Sequence, residues 1–258
     1  MKDNYTHITF VLDKSGSMDT LQNDTIGGFN RFVEDQKKVA GEATMTLVLF
    51  DTVYDVRHSG LALASVPALD RSTYIPSGCT ALHDAVGRAI RETGIFLRDK
   101  PEEQRPSKVV FVILTDGEEN SSHETTLKQI QEMIKVQTDQ FKWQFVYLGV
   151  GIDAFVSGAQ LGIPKSATAN VAAQGQNVGV AYAAMSRNLA DVRTGVSCCC
   201  CFTEHERKTM GGIVPGPSAS QPPDPAQMPA SADDLAQKIK HMKHHAPGAG
   251  QTSQRSKI

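Results

Sequence analysis

Long apolar runs are missing from this sequence: no stretch approaches the roughly 20 apolar residues that a membrane-spanning helix needs. An excess of charge of either sign is missing too. Lys and Arg number 26 against 28 Asp and Glu, a formal net charge of −2, which gives no global attraction to nucleic acid or to an anionic membrane. The opening residues Met1 to Thr6 are polar and lead straight into a strand-like run, without the apolar core of a secretory leader, so a cytoplasmic location is the expectation. Cysteine is scarce and does not read as a disulfide framework. Cys79 stands alone, and the other four are consecutive, Cys198 to Cys201. Neighbours on a strand point to opposite faces, and these lack the two-residue gap that lets a pair grip one metal. Reactivity, metal binding between chains and acylation stay open for them; a small hydrophobe in an apolar strand or loop is the preferred reading.

What is present is ordinary globular material. With 258 residues, 40% hydrophobic and 21% charged, the chain can build one large α/β domain plus an accessory segment. Four short apolar runs, Ile8 to Leu12, Met45 to Phe50, Val109 to Leu114 and Phe145 to Val150, show little strict alternation, the mark of strands buried on both faces. Helical spacing lies between them: after Asp19, over Leu82 to Leu97, and from Ser122. Alternating strands and helices predict a doubly wound, mostly parallel α/β sheet with helices on both faces. After Phe50, only Asp51-Thr52 precedes Val53 to Arg57, too short for a helical crossover, so that arm should be an antiparallel edge strand. A later unit runs through a helix near Asp153 to Leu161, a short strand near Ala167 to Val171 and a helix near Val178 to Asp191.

From about Thr203 the composition changes, and seven of the twelve prolines follow. We therefore divide the chain into a domain over 1–202 and a Pro/Ala/Ser-rich tail over 203–258, expected to be disordered apart from a short helix over 231–245. His241, His244 and His245 in that helix are near the spacing of a transition-metal site, with a solvated basic patch beside Lys238, Lys240 and Lys243 the preferred account.

Chemistry concentrates in three loops. The first strand ends Asp13-Lys14-Ser15-Gly16-Ser17, where alternate side chains of an extended segment point the same way and Gly16 permits a tight turn. Open α/β sheets place ligands at this carboxyl edge. Two further loops should arrive there, Ser77-Gly78-Cys79-Thr80-Ala81-Leu82 before a helix and Thr115-Asp116-Gly117 after an apolar strand. Carboxylates and hydroxyls are hard oxygen donors, suited to Mg²⁺ or Mn²⁺ and poorly suited to zinc.

Asp-x-Ser-x-Ser after the first strand, a later Gly-x-Thr-x-Leu, and Thr-Asp-Gly after another apolar strand resemble the metal-ion-dependent adhesion site of von Willebrand factor A domains. The similarity covers most of His7 to Asp191 and is strongest to small stand-alone bacterial and phage members, with none of the five metal-site positions departing from the pattern. The resemblance implies a Rossmann-like fold in which Ser15 and Ser17 bind the ion directly. It further implies that Thr80 binds directly in the ligand-bound state and that Asp13 and Asp116 act largely through water. It implies a non-enzymatic module that captures an Asp or Glu of a partner protein through a Mg-type ion, with an AAA+ ATPase as a candidate partner.

Other residues near these loops have plainer readings. Asp84 should support or cap its loop, Asp19 should start the first helix, and Asp51 is either a second layer of the site or a turn residue. Glu118 and Glu119 should form an acidic rim, His83 should be structural, and Lys14 should be exposed to a partner. The alternative function is a Mg-dependent phosphotransfer enzyme or receiver-like domain using Asp13. Against it, Ser15 stands where a haloacid-dehalogenase pattern needs a second Asp, a receiver's acidic pair and late Lys are absent, and no serine adjoins an activating histidine. A surface scaffold with Cys198 to Cys201 acylated has little support, since no apolar helix or strong polybasic stretch adjoins them.

Overall fold

A computed structural model describes residues 1–211. The expected tail helix and its histidines lie outside the described residues. Six strands form one sheet in the order β3-β2-β1-β4-β5-β6. They are β1 (Lys2–Asp13), β2 (Glu42–Phe50), β3 (Tyr54–Ala62), β4 (Pro106–Thr115), β5 (Gln144–Val150) and β6 (Thr168–Val171). All pairings are parallel except β2 with β3, which is the hairpin that the two-residue gap after Phe50 dictated. The helices are α1 (Gln22–Lys37), α2 (Leu82–Arg98), α3 (Leu127–Phe141), α4 (Ala154–Leu161), α5 (Gly175–Thr194) and α6 (Glu204–Thr209). The doubly wound α/β architecture is as the apolar runs predicted.

Each central strand feeds two cores. On β1, Ile8, Phe10 and Leu12 face α1 and α5, while Val11 joins the α2, α3 and α4 side. Phe10 stacks on Tyr182 of α5 and meets Phe29 and Phe32 of α1 edge-on. Gly28 makes this layer possible, because a Cβ there would sit 2.2 Å from the Tyr182 ring. On the other face His7 is fully buried, its ring nitrogens reaching the hydroxyls of Thr44, Thr9 and Thr46. Burial lowers its pKa to about 3, so it is neutral.

Two boundaries differ from expectation. β1 begins at Lys2 rather than Ile8, because its polar start pairs with Pro106 at the foot of β4. Ordered elements also continue past residue 202: Thr203 and Glu206 form a capping box on α6, and Glu206 also bonds Arg187 and Asn188 of α5. The cysteine run differs as well. Cys199 and Cys201 form a disulfide, while Cys79 and Cys198 are free and exposed and Cys200 is free and buried. No helix among the described residues is long and apolar enough to cross a membrane.

Candidate metal centre

The order of the sheet fixes where a ligand can enter. From β1 the chain winds outward through β2 and β3, then returns to β4 on the opposite side of β1. The loops after β1 and β4 therefore diverge and leave a crevice at the carboxyl edge. Asp13 ends β1 and Thr115 ends β4, so the two motif loops flank this crevice.

Backbone hydrogen bonds stitch the third loop to them. Gly16 N–H donates to Gly78 C=O at 3.1 Å, and Ser77 N–H to Lys14 C=O at 2.8 Å. Asn120 holds Thr80 twice, its N–H donating to Thr80 C=O at 3.1 Å and its Oδ1 accepting from Thr80 N–H at 2.9 Å. Gly117 lets Thr80 approach, since a Cβ at Gly117 would stand 2.8 Å from Thr80 Oγ1. Tyr74, fully buried, donates its hydroxyl to Asp13 C=O at 2.6 Å and anchors the end of β1.

Four of the five expected residues, Asp13, Ser15, Ser17 and Asp116, are linked in this crevice, and Thr80 stands beside it against Gly117. Ser17 Oγ donates to Asp116 Oδ1 at 2.7 Å and lies 3.1 Å from Ser15 Oγ. Asp13 is wholly buried, with Oδ1 accepting from Ser15 N–H at 2.7 Å and Oδ2 from the Thr115 hydroxyl. Ser15 and Thr80 are buried, Asp116 is half-buried and Ser17 is exposed, so the cluster opens to solvent on one side. Burial pushes the Asp13 carboxyl up to about 6, against hydrogen bonds from Thr115 and Ser15 and with help from the Asp116 charge. Burial likewise raises Asp116, opposed by its bond from Ser17.

These donors suit a small hard cation. The cluster offers only hydroxyl and carboxylate oxygen, and among the described residues no group of three His, Cys, Asp or Glu side chains is arranged to hold a metal. Lys14, the basic residue inside the motif, does not neutralise the cluster. It was expected to be exposed, but its side chain is turned inward onto Asp51 and is only 13% exposed. Asp51 in turn accepts from Ser77 Oγ and Val53 N–H, so it serves both as turn residue and as support for the motif loop.

The acidic rim is also redistributed. Glu118 is exposed, but Glu119 is spent on the loop, accepting from the N–H groups of His83, Ser121 and Ser122. Asp84 supports its loop as expected, accepting from the N–H groups of His123, Glu124 and Thr125. Asp19 falls in a 3-10 turn, Gly16–Leu21, ahead of α1. Tyr74, Asn120 and the pairing of Lys14 with Asp51 were not found from the sequence, and Thr115 was read only as part of its motif.

No family model matches the chain, and no curated protein matches it. Solved structures do. Proximal thread matrix protein 1 from the mussel byssus aligns over 75% of this chain and 47% of its own, with 12% identity and a TM-score of 0.53. The vWF domain of the type V pili tip protein Mfa5 from Porphyromonas gingivalis aligns over 74% of this chain and 96% of its own, with 9% identity and a TM-score of 0.51. The chain has the von Willebrand factor A fold. It spans about half the length of the byssus protein, a further structure of which, at 15% identity and a TM-score of 0.50, carries a zinc-occupied metal-ion-dependent adhesion site. Divalent metal binding at that site thus occurs among neighbours sharing the von Willebrand factor A fold.

Proposed function

We propose that this domain is a non-enzymatic protein-binding module that grips an Asp or Glu of a partner protein through one divalent ion, Mg²⁺ or Mn²⁺. Ser15, Ser17 and Thr80 would hold the ion by their hydroxyls, with Asp13 and Asp116 acting largely through water. What supports the reading is an open cluster of hydroxyl and carboxylate oxygens from Asp13, Ser15, Ser17 and Asp116, beside which backbone bonds hold the Thr80 loop, with Lys14 turned away onto Asp51. A bound ion supplies exchangeable coordination positions, and neutral hydroxyl ligands leave most of its charge available to a partner's carboxylate. The exposed Ser17 and Glu118 border the opening and would meet the partner first. An AAA+ ATPase is the partner class that we propose to look for.

The phosphotransfer alternative fares worse on geometry. An Asp nucleophile needs a free oxygen facing substrate, and Asp13 is wholly buried with both oxygens engaged. The test is capture of host proteins on the immobilised full chain, with EDTA, with Mg²⁺ restored, and with Ser15→Ala. The reading expects proteins that leave with EDTA, return with Mg²⁺ and never bind the variant. Identical captures under all three conditions would overturn it.

A further inference from the structure

An unassigned feature lies at the opposite edge of the sheet. A cavity of about 560 Å³ opens between α3, the amino end of β5 and the segment after α5. Ile134, Trp143 and Phe145 give it an apolar floor, and the Cys199–Cys201 disulfide forms part of its wall. Its volume falls in the range that takes a ligand of several hundred daltons or a few side chains of a peptide.

The disulfide's placement does not suit a structural staple. It spans two residues, so it closes a very short loop and removes little entropy from the unfolded chain. Both cysteines are only half-buried, and both line the cavity. The local backbone is held without help from the bridge. Gln144 bonds Cys198 C=O and Cys200 N–H from β5, and Ser197 bonds both C=O and N–H of Cys199. Cys200 between them is buried, and burial pushes its thiol up to about 12, so it does not compete.

We propose that the Cys199–Cys201 disulfide is a thiol–disulfide exchange centre whose substrate is a dithiol peptide segment, seated by an apolar side chain in the adjoining cavity. A thiolate of the peptide attacks one sulfur of the pair; the Cys199–Cys201 bond breaks, a mixed disulfide forms, and the released cysteine leaves as thiolate and takes a proton from water. The peptide's second thiolate then attacks its own sulfur in the mixed disulfide. The peptide departs oxidised by two electrons, as a disulfide, and Cys199 and Cys201 remain as two thiols. The apolar floor selects a cysteine flanked by a large hydrophobe over a small free thiol.

The test uses the full chain purified in air and a synthetic reduced peptide carrying two cysteines beside Leu and Phe. Alkylation in denaturant without reductant should label three of the five cysteines. Mixing should oxidise up to one equivalent of peptide, seen by mass spectrometry. The reaction should vanish in the double variant Cys199→Ser/Cys201→Ser, whose circular dichroism and Tm verify its fold. Thr138 lines the cavity on the exposed side of α3, and Thr138→Trp should lower the ratio of peptide to dithiothreitol rates at least tenfold. Five labelled thiols, or peptide oxidation that survives in the double-serine variant, would overturn the exchange centre. An unchanged rate ratio in Thr138→Trp would overturn the cavity as the peptide's seat.

Discussion

Lys14 and Asp51 form an ion pair beneath the motif loop, with side chains only 13% and 5% exposed. Burial pushes the Asp51 carboxyl up, but hydrogen bonds from Lys14, Ser77 and Val53 outweigh it and hold the carboxyl below its usual range. The pair ties the loop after β1 to the loop after β2, and Ala81 N–H bonded to Asp51 C=O at 3.1 Å brings the Thr80 loop into the same knot.

Groups that orient metal ligands commonly affect affinity ten- to a hundredfold. Asp51→Asn should therefore weaken Mg²⁺ binding by about tenfold or more, although Asp51 is outside the oxygen cluster. Calorimetric titration checks this. An affinity within about twofold of the wild type would mean that the loop holds its shape unaided.

Gly117 offers a test of Thr80 that leaves Thr80 in place. A Cβ at 117 would press on Thr80 Oγ1 from 2.8 Å, and the hydroxyl would have to rotate or retreat. Gly117→Ala should lose most of the Mg²⁺-dependent capture while shifting the metal-free Tm by less than about 3 °C, since only one side-chain tip beside the open cluster gives way. Full capture by this variant would remove Thr80 from the ligand set.

Asp13 links the site to stability. Its folded pKa of about 6 exceeds the ordinary 3.8, so the folded state binds the proton more tightly than the unfolded state. The resulting penalty is absent below pH 3.8, grows from there to about pH 6, and is full above it, about 3 kcal/mol on a shift of this size. Asp13→Asn keeps an acceptor for Ser15 N–H and a donor for Thr115. It should raise the metal-free Tm at pH 7.5 by several degrees and abolish the Tm rise produced by Mg²⁺. A lower metal-free Tm in Asp13→Asn would contradict the penalty.

His7 acts in the opposite direction on pH. Its folded pKa of about 3 lies below the ordinary 6.5, so the neutral ring's contribution is complete above pH 6.5 and is lost progressively down to about pH 3. Each pH unit in that window costs about 1.4 kcal/mol. Urea unfolding of the metal-free chain between pH 6.5 and 4.5 should show this slope, and His7→Gln should flatten it. Equal slopes in the two proteins would show that His7 does not set acid stability.

The sheet was legible because buried parallel strands are written as uninterrupted apolar runs, and the β2–β3 hairpin because two residues cannot hold a helix. The meeting of Asp13, Ser15, Ser17 and Asp116 was legible because their motifs hold these residues at fixed local spacing. Their supports were not. Tyr74 reaches Asp13 from 61 residues away and Asn120 reaches Thr80 from 40, and neither sits in a pattern that a linear reading can weigh. Lys14 misled for a related reason: a lysine in a loop reads as solvated until a buried carboxylate is known to face it. The cysteine pair escaped because adjacent residues on a regular strand diverge, whereas 198–201 is irregular and lets alternate sulfurs meet.

Five strands run in one direction, and the cysteine cavity opens at their starting edge while the oxygen cluster sits where they finish. A seven-residue strand such as β5 sets roughly 20 Å between those poles. Two macromolecules approaching from opposite poles would not collide, so a single copy has room to hold a partner through an ion at one pole while a dithiol peptide is oxidised at the other.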